Sequence, residues 1–183
     1  MRIVLGITGS SGAIFAREFL RRSPAENYLV VSKWGKVLLK DELQISTKDL
    51  ATYIKKEFSD DDLTAPIASG SNRIDAFVIL PCSSSTLGKI ASGIGDTLIT
   101  RTAQVALKER HKMILCLRET PMSTVSLEQA ARLSRDGVII MPITPSLYFV
   151  PKSVEEYVQD FVDRVLAAAG VKESRGWRAE ELE

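Results

Sequence analysis

Residues 77–123 read FVILPCSSSTLGKIASGIGDTLITRTAQVALKERHKMILCLRETPMS and contain two short apolar runs that each end in a polar turn. The first run, Phe77–Leu80, is followed by a hydroxyl cluster at 83–86, and the second, Met113–Leu117, by Arg118-Glu119-Thr120-Pro121. Open α/β sheets build their binding sites at the carboxyl ends of such buried strands. The two strand ends therefore predict an anion-binding pocket with hydroxyl groups on one side and an Arg-Glu pair on the other.

The amino-terminal segment has a related layout. Arg2–Ile7 is an apolar run, TGSSG at 8–12 is a Gly/Ser turn, and Ala13–Arg22 has the apolar spacing of a helix. A strand, a tight turn and a helix in this order direct backbone N–H groups and the helix dipole at an anion. The turn has neither the GxGxxG pattern nor a P-loop lysine, so a mononucleotide phosphate or a ring edge fits it better than a dinucleotide. A plain strand-to-helix turn is the alternative.

The rest of the chain alternates between predicted strands and helices. Further strands are predicted at 28–32, 75–80, 113–117 and 138–141, and helices at 33–43, 47–57, 86–92, 97–110, 126–136 and 153–168, with Asp96 as a helix cap and a solvated acidic loop at 59–62. Right-handed crossovers then give a three-layer, Rossmann- or flavodoxin-like α/β fold, a parallel sheet with helices on both faces. We expect one domain over 1–183, with a polar tail at 170–183 in which Trp177 is either disordered or docked on another subunit.

Composition argues against several classes of protein. Lys plus Arg total 24 against 23 Asp plus Glu, so no general basic field for nucleic acid is expected. No apolar run reaches about 18 residues, and residues 3–7 are too few for a signal-peptide core, so neither a membrane span nor a secretion signal is expected. Two cysteines, Cys82 and Cys116, and the single His111 predict no disulfide framework and no metal site, and a reducing cytoplasm is the simplest location.

Further candidate residues lie on helices and on a stiff loop. Arg101 and Lys108 are seven residues apart, close to two helical turns, so both cations share one face, although a solvated basic stripe is the alternative. The loop 142–151 contains three prolines and presents Tyr148. Arg164 flanks the apolar stripe of the last predicted helix and is placed to reach inward from its edge.

Several of these segments together resemble the flavin prenyltransferases of the UbiX family. GITGSSGA at 6–13 is similar to the family's G-[IA]-[ST]-G-A-S-G-A opening, PCSSSTL at 81–87 to its second flavin loop, and RTAQVALKER at 101–110 to its R-A-A-D-V-x-L-K-E-R segment. RETP at 118–121 is the family's motif, and Tyr148 and Arg164 match its late Tyr and Arg positions. The resemblance spans residues 2 to about 169. Ser10 replaces the usual Ala, and Gln104 replaces the usual Asp.

The resemblance implies an enzyme that joins a dimethylallyl group from dimethylallyl phosphate to N5 and C6 of reduced FMN and closes a fourth ring. The product, prenylated FMN, is the cofactor of UbiD-type decarboxylases, which are the implied recipients. A homododecamer with sites at subunit contacts and without a metal is also implied. Whether the allyl donor is a mono- or a diphosphate is left open.

The resemblance also implies roles for individual residues. The expected FMN contacts are Ser10, Ser11, Gly12, Ser32, Ser83, Ser84, Ser85, Thr86 and Arg118. The expected contacts of dimethylallyl phosphate are Tyr148, Arg164, Lys108, Arg101 and Glu42. Cations at the leaving phosphate stabilise the transition state, and Glu119 can give or take a proton at the phosphate or at flavin N5. Glu119, Lys108 and Ser11 are therefore the expected catalytic residues.

Two other functions compete with this hypothesis. A flavin-dependent cysteine decarboxylase has a related fold but uses a histidine after an early helix, whereas His111 lies between the Lys108 helix and a strand. A non-catalytic FMN-binding or carrier protein would keep the Ser/Gly loops without needing Lys108, Glu119, Tyr148 and Arg164 together. Taken alone, Arg118 and Glu119 would form a surface ion pair worth about 0–1 kcal/mol.

Overall fold

The computed structural model describes residues 1–171, so the predictions for Trp177 and the rest of the tail lie outside the described residues. The strands are β1 (Arg2–Ile7), β2 (Glu26–Val31), β3 (Lys56–Ser59), β4 (Ala76–Cys82), β5 (Lys112–Leu117) and β6 (Ile139–Ile140). The α-helices are α1 (Ala13–Arg22), α2 (Lys33–Leu43), α3 (Ser84–Ala91), α4 (Leu98–Lys108), α5 (Thr124–Arg135) and α6 (Val154–Ala169). Short 3-10 helices span Thr47–Tyr53 and Pro66–Ala68.

The six strands form one sheet in the order β3-β2-β1-β4-β5-β6, and every neighbouring pair is parallel. The chain winds outward from β1 to β3, crosses back to β4 beside β1, and then winds outward to β6. This strand order is that of a doubly wound fold and confirms the predicted architecture. The connections after β1 and β4 leave in opposite directions, so a crevice opens at the carboxyl ends of these two strands.

Two apolar cores cover the two faces of the sheet. Alternate residues of β1 and β4, such as Leu5 and Val78, pack with α1 and α6 on one face. Their neighbours Val4 and Phe77 pack with α3, α4 and α5 on the other face. Because both faces are buried, the central strands read as continuous apolar runs, and the polar chemistry is left to the strand ends.

The predicted helix over Thr47–Glu57 is wrong in its second half. The 3-10 helix ends at Tyr53, and Lys56–Ser59 pair with β2 as the edge strand β3. Only Phe58 of this strand is buried, opposite Val30 of β2. A strand held by one neighbour and one apolar side chain has no apolar run, so its pattern does not distinguish it from a polar helix end.

The acidic loop at 59–62 is not simply solvated, because Asp60 anchors the start of α4. Its carbonyl oxygen accepts the N–H of Leu98 at 2.7 Å, and its carboxylate accepts the N–H of Ile99 at 2.9 Å. Burial raises the pKa of the Asp60 carboxyl. The loop therefore contributes an acidic wall beside the carboxyl ends of the strands.

The cap of α4 is Thr97 rather than the predicted Asp96. The hydroxyl group of Thr97 accepts the N–H of Thr100, and the helix begins at Leu98. The Asp96 carboxylate instead pairs with Lys89 of α3 at 2.6 Å. The ion pair ties α3 to the start of α4, and both helices border the crevice.

The beginning of α2 is pressed against the end of β1, which requires a glycine at position 35. A Cβ atom on Gly35 would lie 2.5 Å from the carbonyl oxygen of Ile7 and 3.0 Å from a methyl group of Val31. The Ile7 carbonyl cannot move away easily, because it accepts the N–H of Ser32 at 3.0 Å. Gly35 thus sets the distance between the first turn of α2 and the crevice.

We predict that Gly35→Ala lowers the free energy of unfolding by about 2 kcal/mol, since an added methyl group must displace main-chain atoms. Guanidinium-induced unfolding measures the change. The matched control is Gly88→Ala in the middle of α3, where the nearest atoms are 3.4 Å away on the Gln129 side chain. This control should be stabilised by up to about 1 kcal/mol through helix propensity. An unfolding midpoint for Gly35→Ala equal to that of the wild type would contradict the packing described.

Candidate active site

The hydroxyl group of Thr8 joins the ends of β1 and β4. Its Oγ1 donates to the carbonyl oxygen of Pro81 at 2.9 Å and accepts the N–H of Ser83 at 2.9 Å. The N–H of Thr8 donates to the same carbonyl at 3.2 Å. Thr8 is only 2% exposed, so these bonds are shielded from water. The turn after β1 and the hydroxyl loop after β4 are therefore fixed side by side at the crevice.

A cavity of about 650 Å³ lies at this position, within the usual range for small-molecule sites of roughly 300–1,000 Å³. Four of the residues predicted to contact flavin line it: Ser32, Ser83, Ser85 and Thr86. Ser32 and Ser83 also cap α2 and α3, because their hydroxyl groups accept backbone N–H groups of the first turns. Two helix amino termini with hydroxyl caps thus border the same cavity.

Three lysines that the sequence motifs do not indicate also line the cavity: Lys33, Lys36 and Lys89. Lys33 and Lys36 belong to the first turn of α2, and Lys89 is held by its ion pair with Asp96. Ammonium and hydroxyl groups beside helix amino termini suit a phosphate ester. The sequence signal for Lys33 and Lys36 was their position directly after the end of a predicted strand. This signal is weak, because lysine is also common on helices that face solvent.

The amino terminus of α1 is occupied by a carboxylate of the chain itself. Oε2 of Glu42 accepts the N–H groups of Gly12 at 3.0 Å and Ala13 at 2.8 Å, and Oε1 accepts Gly12 at 3.1 Å. Gly12 has a φ angle of 117°, which a side chain would disfavour. The anion at the turn after β1 is therefore Glu42 in this chain, so a ring edge or a plain strand-to-helix turn fits this segment better than a phosphate site.

The turn after β5 is in contact with both of the preceding loops. The Ser10 hydroxyl donates to the carbonyl oxygen of Arg118 at 2.6 Å, and the Ser84 hydroxyl donates to Oε2 of Glu119 at 2.7 Å. Oε1 of Glu119 accepts the N–H of Thr120 at 3.2 Å. Ser11 is exposed on the same turn as Ser10. Residues that follow three separate strands, β1, β4 and β5, are thus joined by hydrogen bonds at the Arg118–Glu119 dipeptide.

Arg101 and Lys108 lie elsewhere in the chain. Lys108 is the last residue of α4 and pairs with Glu109. Both residues lie shortly before the amino-terminal end of β5, whereas Glu119 follows the carboxyl end of that strand. Nε of Arg101 donates to the carbonyl oxygen of Ala68 at 3.2 Å. A single chain therefore does not bring Lys108 to Glu119.

Tyr148 and Arg164 belong to a third region, beside α6. Arg164 lines a cavity of about 420 Å³ together with Phe149 and Val150 of the proline-rich loop. The Tyr148 ring lies 4.6 Å from the Phe149 ring, between centroids, and the Ser146 hydroxyl bonds to Asp160 of α6. No described residue lines both this cavity and the larger one. Tyr148 and Arg164 are thus linked through Phe149, whose ring contacts the Tyr148 ring and which lines the cavity beside Arg164.

Other features limit the chemistry of the described residues. Among residues 1–171, no group of three or more His, Cys, Asp or Glu is arranged to hold a metal ion, and no helix is long and apolar enough to cross a membrane. Cys82 and Cys116 are free thiols, and complete burial raises the pKa of each. His111 precedes β5, and its buried Nδ1 has no hydrogen-bond partner among the described residues.

Known proteins resemble this chain over nearly its whole length. The Flavoprotein family model matches residues 1–169. Flavin prenyltransferase UbiX from Thermoplasma acidophilum is 44% identical over 172 residues, which cover 93% of this chain and 96% of that protein. The chain belongs to the UbiX family of flavin prenyltransferases. This membership confirms the family predicted from the motifs, and it makes the chain a prenyltransferase enzyme.

Solved structures agree with the UbiX assignment. The crystal structure of AnUbiX (PadA1) in complex with FMN and dimethylallyl pyrophosphate has a TM-score of 0.91 and 35% identity, and the match covers 97% of this chain and 98% of that one. The dodecameric FMN-dependent UbiX-like decarboxylase from Escherichia coli O157:H7 has a TM-score of 0.92 and 37% identity, with 97% and 100% covered. The similarity to EpiD from Staphylococcus aureus is lower, with a TM-score of 0.60 and 21% identity, and shows the fold alone.

We predict that Glu42→Ala in this UbiX-family protein lowers the free energy of unfolding by about 1 kcal/mol, because the amino terminus of α1 loses its charged cap. Inorganic phosphate should then stabilise the variant more than the wild type, since the vacated N–H groups bind anions. Thermal unfolding with and without phosphate measures both effects. Asp41→Ala, an exposed neighbour on the same helix, serves as the control. Equal stability of Glu42→Ala and the wild type would contradict a capping role.

Proposed function

We propose that this protein joins the dimethylallyl group of dimethylallyl phosphate to N5 and C6 of reduced FMN and so makes prenylated FMN. One observation carries the proposal. Ser83 and Ser85 line the cavity of about 650 Å³, while Ser84 between them bonds to Glu119. A single segment therefore borders both a cavity with donor groups for a phosphate and a carboxylate that can act in acid–base chemistry. The solved relative with FMN and dimethylallyl pyrophosphate supports the same pair of ligands here.

The donor groups of the cavity fit FMN. Lys33, Lys36 and Lys89 would neutralise its phosphate, and the Ser32 and Ser83 ends of α2 and α3 would add hydroxyl and dipole contacts. The isoalloxazine ring of FMN would extend toward Arg118 and the turn at 10–12, where the N–H groups at the amino terminus of α1 are already bonded to Glu42. When bound, reduced FMN supplies the two nucleophilic atoms, N5 and C6.

Chain residues would then handle the charge and the protons of the transfer. Breaking the allyl carbon–oxygen bond leaves negative charge on the departing phosphate, which Lys108, Arg118 and Arg164 would stabilise. Forming the bond at N5 releases a proton, which Glu119 would take or pass to the departing phosphate. Forming the bond at C6 opens the allyl double bond, so the proton lost from C6 is matched by one gained at the other carbon of that double bond.

We propose that several copies of the chain complete each site. Four of the expected substrate contacts are exposed in one chain: Arg101, Lys108, Tyr148 and Arg164. Lys108 also lies at the opposite end of β5 from Glu119, which is consistent with the two residues meeting across a subunit contact. The dodecameric relative from E. coli supports a homododecamer. A closed point-group assembly presents the same contact to every copy, so each subunit would both lend and receive residues.

Three further proposals follow from the same assignment. UbiD-type decarboxylases would receive the product, as the recipients that the UbiX resemblance implies. A reducing cytoplasm is supported by the free thiols of Cys82 and Cys116. One flavin-binding domain over residues 1–183 is supported by the single sheet that runs through β1–β6.

We expect the purified protein to be yellow and to convert reduced FMN and dimethylallyl phosphate into prenylated FMN. Mass spectrometry of the released flavin detects the added five-carbon unit, and parallel reactions with the mono- and the diphosphate identify the donor. Glu119→Gln should still bind FMN but turn over roughly 100-fold or more slowly, because a neutral amide cannot take the proton. Unchanged turnover would remove Glu119 from the reaction, and an unmodified flavin with either donor would refute the proposed function.

A mixing experiment tests whether sites are shared between copies. Lys108→Ala and Glu119→Gln should each be nearly inactive alone. Co-assembly of the two variants in equal amounts should restore about a quarter of wild-type activity, because that fraction of sites receives both intact residues from different copies. If mixed assemblies stay as inactive as their components, Lys108 and Glu119 do not meet across a subunit contact.

A further inference from the structure

Two serine hydroxyl groups hold the Arg118–Glu119 dipeptide from different loops. The Ser10 hydroxyl donates to the Arg118 carbonyl oxygen at 2.6 Å, and the Ser84 hydroxyl donates to Glu119 Oε2 at 2.7 Å. Oε1 of the same carboxylate accepts the N–H of Thr120. Both the main chain before Glu119 and both of its carboxylate oxygens are therefore bonded within the chain.

A serine hydroxyl group has one proton to donate, which limits what Ser10 and Ser84 can do for a ligand. Each has given that proton to the Arg118–Glu119 dipeptide, so toward a bound molecule each can act only as an acceptor. We infer that Ser10 and Ser84 are positioning residues that form a hydroxyl clamp on Arg118–Glu119. This role differs from the one implied by the family resemblance, in which Ser10 and Ser84 contact FMN directly. This inference rests on the proposed proton-transfer role of Glu119.

Both halves of the clamp sit on rigid supports. Ser84 is the first residue of α3, directly after its cap Ser83, whose carbonyl oxygen accepts the N–H of Leu87 at 2.9 Å. Ser10 donates its N–H to the carbonyl oxygen of Thr8 at 2.9 Å, and Thr8 is the buried residue that joins β1 to β4. Groups held in this way keep a catalytic side chain near its working position before the ligand arrives.

The clamp matters because Glu119 and Arg118 are exposed side chains. Without the Ser84 hydroxyl, the Glu119 carboxylate would be free to change rotamer, either into solvent or toward the neighbouring guanidinium group of Arg118. A small misplacement of an acid–base group lowers the rate of the chemical step more than it lowers binding. The Ser10 hydroxyl adds a second anchor, on the main chain directly before Glu119.

The first test measures the steady-state kinetics and the FMN affinity of three single variants of the assembled full-length protein: Ser84→Ala, Ser84→Thr and the control Ser92→Ala. Ser92 is exposed at the other end of α3 and bonds through its main chain. Ser84→Ala should lower kcat about tenfold, while the KM for dimethylallyl phosphate and the Kd for FMN change less than about twofold. Ser84→Thr, which keeps the hydroxyl group, should recover kcat to within about threefold of the wild type, and Ser92→Ala should behave as the wild type.

The second test measures hydrogen exchange in the ligand-free protein, which does not depend on the reaction. Ser84→Ala and Ser10→Ala should each speed the exchange of amides in residues 117–123 by about threefold or more, and the double variant should do so further. Unchanged exchange in this segment would overturn the clamp. A weakened FMN Kd with an unchanged kcat for Ser84→Ala would also overturn it, since the hydroxyl group would then serve the flavin. If the wild type neither bound nor prenylated FMN, the proposed function would be refuted, whereas the exchange data would still test the contacts of Ser10 and Ser84.

Discussion

The buried hydroxyl group of Thr8 is the contact on which the geometry of this site depends. A buried hydroxyl group must find hydrogen-bond partners, and Thr8 finds both of its partners on the β4 side of the crevice, at Pro81 and Ser83. The bonds set the distance between the turn after β1 and the loop after β4. From those two loops, Ser10 and Ser84 reach the turn after β5. The positions of the cavity and of Glu119 are thus tied to one another through Thr8 and through the hydroxyl groups of Ser10 and Ser84.

Four helix amino termini border the crevice, and two of them are bound by carboxylates of the chain itself. Glu42 occupies the amino terminus of α1, and Asp60 occupies that of α4. The termini of α2 and α3 carry only the neutral hydroxyl caps Ser32 and Ser83. A ligand phosphate would be repelled by the first two termini and attracted to the second two, where the lysines also lie. Glu42 and Asp60 therefore bind backbone N–H groups at two helix termini, and Asp60 also lines the cavity beside Lys33, Lys36 and Lys89.

Much of the fold follows from sequence patterns, because a parallel sheet buried on both faces leaves continuous apolar runs. These runs predict β1, β2, β4 and β5. The edge strand β3 escapes prediction, since its pairing with β2 depends on the assembled sheet and on Phe58 alone. Residues of the site at strand ends, such as Ser83 and Glu119, are found through their position and motif. Glu42 is expected near the site from the family resemblance, but no local spacing reveals that Glu42 caps α1 or that Asp60 binds the first turn of α4, because both contacts join distant segments. Our proposal that Lys108 acts in the site of a neighbouring copy concerns contacts between chains, which the sequence of one chain does not encode as a local pattern.

A crystal structure of the purified assembly with FMN and dimethylallyl phosphate bound would locate both ligands relative to these residues. We expect the FMN phosphate beside Lys33 and Lys36, the ring edge at the turn of residues 10–12, and the allyl phosphate between Glu119 and cations supplied by neighbouring copies. FMN bound away from the crevice between β1 and β4, or Lys108 and Arg164 of every copy remote from every Glu119, would contradict the proposed site.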